Sequence, residues 1–236
     1  MIFMKKLKKF QGDYLVDEDN NLYLKQGDKA MKLSFFDGHY YSLRVFSGVP
    51  VLEIDGLRMQ LVRDFKTPLD YAKQVIGHLK LKKKDVVLDT CMGLGYTAIQ
   101  AAKKAGRVYT YELSEAVIRL AKLNPFSKEL FEMKHVAVEQ GSCFEKIKEL
   151  PDNSIDVIIH DPPRFSHAPE LYSAGFYKEI KRVLKPGGRL FHYVGSVGKS
   201  RRRDISKDTM KRLSSMGFSV RKLEKLQGIM AVLKTF

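Results

Sequence analysis

Residues 86–98 read VVLDTCMGLGYTA: an apolar strand, an acidic residue at its end, and a glycine turn that opens a helix. Gly93 and Gly95 tolerate positive φ and let backbone approach a ligand with no Cβ in the way. The following TAIQAA, residues 97–102, favours helix, and the unpaired N–H groups of a first helical turn favour a polar ligand. A strand, a ligand-sized turn and a helix in succession constrain the chain to an α/β fold and predict a nucleotide-sized site at the turn.

The glycines alone leave the ligand open, because Gly93-x-Gly95-x-x-Ala98 also fits a dinucleotide fingerprint, with Glu112 at the distance expected of a ribose contact. Two further features narrow the choice. Asp89 precedes the first glycine by four residues, and IDVIIHDPPR follows at residues 155–164. Together these motifs resemble class I S-adenosylmethionine-dependent methyltransferases. The resemblance implies that residues 89–95 wrap the methionine part of S-adenosylmethionine, that Glu112 binds the ribose hydroxyls, and that residues 161–164 face the transferred methyl. It places cofactor contacts at Asp89, Cys91, Gly93, Gly95, Tyr96, Thr97, Glu112, Leu113, Gly141, Ser142 and Cys143, and catalytic roles at Asp161, Pro162 and Arg164.

The chain divides near residue 65 into a small β-rich N-terminal domain (1–65) and a cofactor domain (66–236). In the first part, short apolar segments at 13–16, 20–24, 36–45 and 51–61 alternate with turn signals and read as strands and hairpins. After Thr67-Pro68, apolar positions at Tyr71, Val75, Ile76 and Leu79 predict a helix. Strands are then predicted at 86–89, 107–112, 135–140, 156–161, 189–195, 218–226 and 229–235, with helices at 96–104, 114–123, 172–184 and 205–216. Lys185-Pro186-Gly187-Gly188 reads as a turn that stops a helix, and Gln227-Gly228 as the turn of a final hairpin. Such alternation means a largely parallel sheet covered on both faces, here a Rossmann-like seven-stranded sheet with an antiparallel hairpin at its edge in the resembled family.

Charge is unevenly distributed along the 236 residues: +6 over residues 1–84, −3 over 85–177 and +12 over 178–236, for a total of +15. The basic C-terminal quarter, with Lys199, Arg201, Arg202 and Arg203 clustered, suits a phosphate-bearing partner, and RNA is the expected one. The two cysteines, Cys91 and Cys143, stand at no metal-ligand spacing, so neither a disulfide scaffold nor a metal site is expected. Met1-Ile2-Phe3-Met4 is too short for the apolar core of an export signal, and no run approaches membrane-spanning length. A cytoplasmic enzyme without membrane attachment is expected. The N-terminal strands offer edges through which subunits could pair into a homo-oligomer.

In doubly wound sheets the ligand crevice opens at the carboxyl ends of the central strands. Asp89, Glu112, residues 141–143 and Asp161 all fall there, so one pocket should gather them. Methyl transfer is an in-line displacement at a sulfonium carbon, and the protein has to align the nucleophile and accept its proton. Asp161 suits that task, Pro162 and Pro163 would stiffen the loop, Phe165 could stack a base, and Arg164 could grip a phosphate or carboxylate.

Arg164 intervenes where amino-group methyltransferases of the Asp-Pro-Pro-aromatic type have their aromatic residue. Asp-Pro-Pro-Arg also looks like the loop of RNA uracil-C5 methyltransferases, but Tyr193-Val194-Gly195-Ser196 supplies no cysteine nucleophile. Residues 160–195, with Leu171-Tyr172-Ser173, Phe176-Tyr177 and Phe191-His192-Tyr193, resemble a family of predicted archaeal methyltransferases. So do Asp89-Thr90-Cys91 and Leu123-Asn124-Pro125-Phe126-Ser127, and the likeness covers about residues 55–236. A second likeness, of residues 51–64 and His78 to the β domain and linker of spermidine synthases, implies an alternative: aminopropyl transfer from decarboxylated S-adenosylmethionine, with Asp161 as the catalytic acid. A polyamine is a cation, however, and Arg164 and the +12 tail would repel it. The expected function is S-adenosylmethionine-dependent methyl transfer to RNA, transfer or ribosomal.

Overall fold

The computed structural model describes residues 7–195 and 204–235. Lys8–Gln11 (β1), Tyr14–Val16 (β2), Leu22–Gln26 (β3) and Lys29–Lys32 (β4) form an antiparallel sheet in that order. Ser34–Asp37 (β5), His39–Phe46 (β6), Val49–Ile54 (β7) and Leu57–Arg58 (β8) form a second. The single apolar runs read at 36–45 and 51–61 are each split by a turn. Gly38 takes φ +71°, and Asp55-Gly56 takes +49° and +76°, the left-handed pair that a two-residue hairpin demands. Strands β1 and β4 were not anticipated, because Lys8–Gln11 and Lys29–Lys32 are too basic and short to stand out as apolar runs.

Helix α1 (Pro68–Leu79) buries Tyr71, Val75, Ile76 and Leu79, the face its periodicity predicts. Its start is fixed by a capping box in which Thr67 accepts from the Asp70 N–H while the Asp70 carboxylate accepts from the Thr67 N–H, and by Pro68 in the first turn. Then follow Val86–Asp89 (β9), Tyr96–Ala102 (α2), Arg107–Glu112 (β10), Glu115–Leu123 (α3), Lys128–Glu132 (α4), Val136–Gln140 (β11) and Cys143–Glu149 (α5). After these come Ile155–His160 (β12), Ala174–Val183 (α6), Leu184–Tyr193 (β13), Ile205–Ser215 (α7), Phe218–Leu223 (β14) and Gly228–Leu233 (β15).

The seven strands lie in the order β11-β10-β9-β12-β13-β15-β14, with β9 to β13 parallel and β15 antiparallel to both its neighbours. The chain leaves β9 for β10 on one side and returns to β12 on the other, so a crevice must open above β9. Strands β9 and β12 are buried on both faces, as their continuous apolar runs require. One face is covered by α1, α2 and α3, whose core continues into Leu22, Leu43 and Leu52 of the N-terminal sheets. The other is covered by α5, α6 and α7 through Ile147, Tyr177, Ile180 and Leu213. No helix among the described residues is long and apolar enough to cross a membrane.

One turn reading needs correcting. Helix α6 does end before Lys185-Pro186-Gly187-Gly188, but the segment is a bulged start of β13 rather than a free turn. Ile155 pairs with Leu184 and Val157 with Arg189, so six residues of β13 oppose three of β12. Gly188 is needed there, since a Cβ would lie 2.7 Å from the Lys185 carbonyl oxygen.

Arg189 fastens this edge to the end of α1. Its guanidinium donates to the carbonyls of Leu79 and Lys80 and pairs with the buried Asp85 carboxylate at 2.6 Å. Arg189→Met is expected to destabilise the protein by about 3 kcal/mol, because it strands a buried charge. Urea denaturation checks this, and a change within ~0.5 kcal/mol would mean that solvent compensates Asp85.

Candidate active site

The glycine turn is held from beneath. Asp89 is fully buried, its Oδ2 accepting from the Thr97 hydroxyl at 3.0 Å, while Oδ1 has no hydrogen-bond partner among the described residues. Burial pushes its carboxyl up to about 8, against the pull of the Thr97 hydrogen bond. Gly93 and Gly95 take φ +54° and +76°. A Cβ on Gly95 would lie 2.5 Å from Leu130 Cδ2, whereas one on Gly93 would meet only Gln60 Nε2, at 3.8 Å across the crevice. Gly95 is therefore demanded by packing and Gly93 by the open space that a ligand would use.

Glu112, at the end of β10, is clamped by two N–H groups: Oε2 accepts from Gly93 at 2.9 Å and Oε1 from Ser114 at 3.0 Å. Burial raises its pKa and these backbone donors oppose the rise. Tyr96 donates to the Pro50 carbonyl at 2.7 Å and accepts from Asn124 Nδ2. Asn124 also donates to Ser127 Oγ, which donates to the Leu94 carbonyl at 2.6 Å. Asn124-Pro125-Phe126-Ser127 thus staples the glycine turn to the N-terminal sheet.

Across the crevice, Asp161 directly follows β12, which ends at His160, one residue earlier than the sequence reading closes the strand. Its Oδ2 accepts from the Tyr71 hydroxyl at 3.1 Å, and burial pushes its pKa up to about 7, with the Tyr71 bond opposing. Behind it, the His160 Nε2 lies 3.0 Å from the Leu171 carbonyl and Nδ1 2.7 Å from the Thr90 hydroxyl. A carbonyl only accepts, so Nε2 carries the proton and Nδ1 accepts from Thr90. Burial pulls His160 down to about 4, so it is neutral and joins the ends of β9 and β12.

One crevice is lined by Cys91, Gly93, Tyr96, Thr97, Glu112, Asp161 and Pro162. Other candidates lie elsewhere. Asp89 and Gly95 support the turn, and Leu113 stands 70% exposed. Gly141 donates its N–H to the Glu112 carbonyl, Ser142 precedes α5, and Cys143 is buried against Cys91. Its contact with Cys143 and burial push the Cys91 thiol up from its usual range. Arg164 is exposed and outside the lining, and Phe165 packs edge-on against Tyr172 rather than standing free to stack. Lys199, Arg201, Arg202 and Arg203 lie outside the described residues.

Sequence reasoning missed Tyr71, Leu52, Ile54, Met59 and Gln60 in this lining. Tyr71 was legible only as an apolar position of a helix. Leu52 and Ile54 sit in β7 and Met59 and Gln60 just after β8, and their approach to the crevice depends on how the N-terminal sheet packs.

A sheet whose own strands run 3-2-1-4-5-7-6, with an acid-glycine turn after the first and acids after the second and fourth, is the fold of class I S-adenosylmethionine-dependent methyltransferases. Residues 87–188 match the family described as Methyltransferase domain. The chain belongs to that class, is an enzyme of it, and uses S-adenosylmethionine as its cofactor. Among its relatives, the uncharacterized protein MJ1233 of Methanocaldococcus jannaschii is 43% identical over 238 residues, 97% of this chain and 82% of that one. A polyamine aminopropyltransferase of Prochlorococcus marinus is 27% identical over 182 residues, 73% of this chain and 60% of that one. In structure, a spermidine synthase bound to the transition-state analogue AdoDATO superposes with a TM-score of 0.69 at 16% identity, covering 86% of this chain and 73% of that one. That likeness is one of fold and extends into the N-terminal part of the chain.

Proposed function

We propose that the enzyme methylates RNA, with Asp161 accepting the proton of the attacking group. The observation that carries the reading is the half-buried Asp161 carboxylate, its pKa pushed up to about 7 by desolvation, on the wall of the crevice that also holds Gly93 and Glu112. The cradle suits the cofactor: open space over Gly93, the Glu112 carboxylate for a diol, and apolar walls from Leu94 and Val117 for a purine. When bound, S-adenosylmethionine supplies an electrophilic methyl on a positively charged sulfur. Tyr71 holds Oδ2 of Asp161, leaving Oδ1 to accept a hydrogen bond from an acceptor N–H or O–H. With the donor held over Gly93 and beside Glu112, Asp161 would align the nucleophile and accept the proton it releases on methylation. RNA is favoured by the +12 charge of residues 178–236, which suits a polyanion.

Aminopropyl transfer is the second reading, favoured by the likeness to the spermidine synthase fold that extends into the N-terminal part of the chain. Weighing against it, the acids of the crevice lining are Glu112 and Asp161, and Glu112 serves the ribose diol of the donor in either reading. That leaves one carboxylate for a dication. Methyl-labelled S-adenosylmethionine offered with bulk RNA and with protein extract, and decarboxylated S-adenosylmethionine offered with diamines, decides the matter. Label in RNA is expected; label in protein, or a polyamine product, would overturn the proposal.

Tyr71→Phe removes the hydroxyl that lowers the Asp161 pKa. The variant's pH–rate profile should shift to higher pH, with kcat reduced about tenfold at pH 7 and cofactor affinity unchanged. An unshifted profile would show that Tyr71 only packs.

A further inference from the structure

The hairpin of β5 and β6 carries an aromatic pair with no role in the crevice. Phe36 and Tyr40 are directly paired across the strands, hence on one sheet face, and are 78% and 40% exposed. Their neighbours Phe35 and Tyr41 turn the other way, Tyr41 into the core and Phe35 under Arg119 of α3. A phenylalanine so exposed loses apolar burial without return unless something covers it.

We propose that Phe36 and Tyr40 form a stacking platform for single-stranded RNA leading to the active site, an inference that rests on the RNA reading above. The chemistry around the pair favours nucleic acid over a protein partner. Lys32 places its ammonium over the Tyr40 ring, 5.7 Å from the centroid, so a cation and a π-face are presented together. On the same sheet face Glu53 is already paired with both Arg44 and Arg58, and Arg58 lies over the Phe46 ring at 4.8 Å. Nearby Asp55 is paired with His39. Protein interfaces deplete lysine, aspartate and glutamate at their centre, the types of Lys32, Asp55 and Glu53 here, whereas bases stack on aromatic side chains while their phosphates pair with cations. The chain's net charge of +15 has the matching sign.

Position supports the same occupant. The Tyr40 carbonyl accepts from the Asp55 N–H at 2.9 Å, and the Tyr40 N–H donates to the Asp55 carboxylate. Ile54 and Met59, on either side of this turn, line the crevice. Ile54 and Met59 alternate with Glu53 and Arg58 and so face away from Phe36 and Tyr40, and a strand stacked on the pair enters the crevice by rounding the Asp55-Gly56 turn.

Fluorescence anisotropy with a labelled oligouridylate of roughly twelve nucleotides tests this. The Phe36→Ala/Tyr40→Ala double variant should bind at least about tenfold more weakly, and Phe36→Leu should also weaken binding, because an aliphatic side chain offers no π-face. Binding of Phe36→Leu equal to wild type, or a wild-type dimer in sedimentation that the double variant separates, would make the face an apolar contact between copies and overturn the platform. Methyl transfer into bulk RNA by the wild type is measured alongside. Equal oligouridylate affinity in all forms, with transfer into RNA intact, overturns the platform alone; no transfer into RNA by the wild type overturns both readings.

Discussion

Asp161→Ala should lower transfer by about a thousandfold while S-adenosylmethionine binds as in the wild type, because general-base assistance and alignment contribute factors of this size. The carboxylate sits opposite the turn and makes its one side-chain bond to Tyr71, so its loss leaves the Glu112–Gly93 clamp intact. Burial sets the pH dependence. With a pKa raised to about 7, Asp161 is protonated and inactive in acid, so turnover should rise as pH increases through about 7. Asp161→Asn should abolish that rise along with the activity. Calorimetric titration and single-turnover rates separate the two effects, and loss of cofactor affinity together with turnover would place Asp161 in cofactor binding instead.

Asp89→Ala should lose both, with cofactor affinity about a hundredfold weaker. The variant removes the acceptor of the Thr97 hydroxyl and leaves a void beneath the turn, freeing the Gly93 backbone that shapes the crevice. Asp89→Asn should be far milder, since it keeps an oxygen for Thr97, and the native carboxyl is itself largely protonated at neutral pH, with its pKa pushed up to about 8. The linkage has a definite sign. The folded protein keeps a proton that the unfolded chain releases near pH ~4. This group's stabilisation is therefore full below about pH 4 and is lost as pH rises through about 8. Denaturation across that window should show wild type losing stability relative to Asp89→Asn, and parallel curves would mean that Asp89 is ionised in the fold.

The order and kind of the central elements were legible because local chemistry dictates them. A continuous apolar run such as Val157–Ile159 must be buried on both faces, Thr67-Pro68 starts a helix, and Gln227-Gly228 separates the last two strands. The acids at strand ends were legible for the same reason, since a doubly wound sheet sends those ends to one crevice. Short elements escaped: Lys128–Glu132 and Cys143–Glu149 have too few turns for periodicity to register.

From the residues alone came the sheet, the glycine turn and the placing of Asp89, Glu112 and Asp161 at neighbouring strand ends, because these depend on contacts near in sequence or on the handedness of βαβ crossovers. Tertiary packing alone decided that Tyr71 reaches Asp161 across ninety positions, that Asp89 lies under the turn instead of on the crevice wall, and that Gln60 and Ile54 close the crevice from the N-terminal sheet. Such contacts arise from the docking of separate elements, and no periodicity in the chain encodes which side chains then meet.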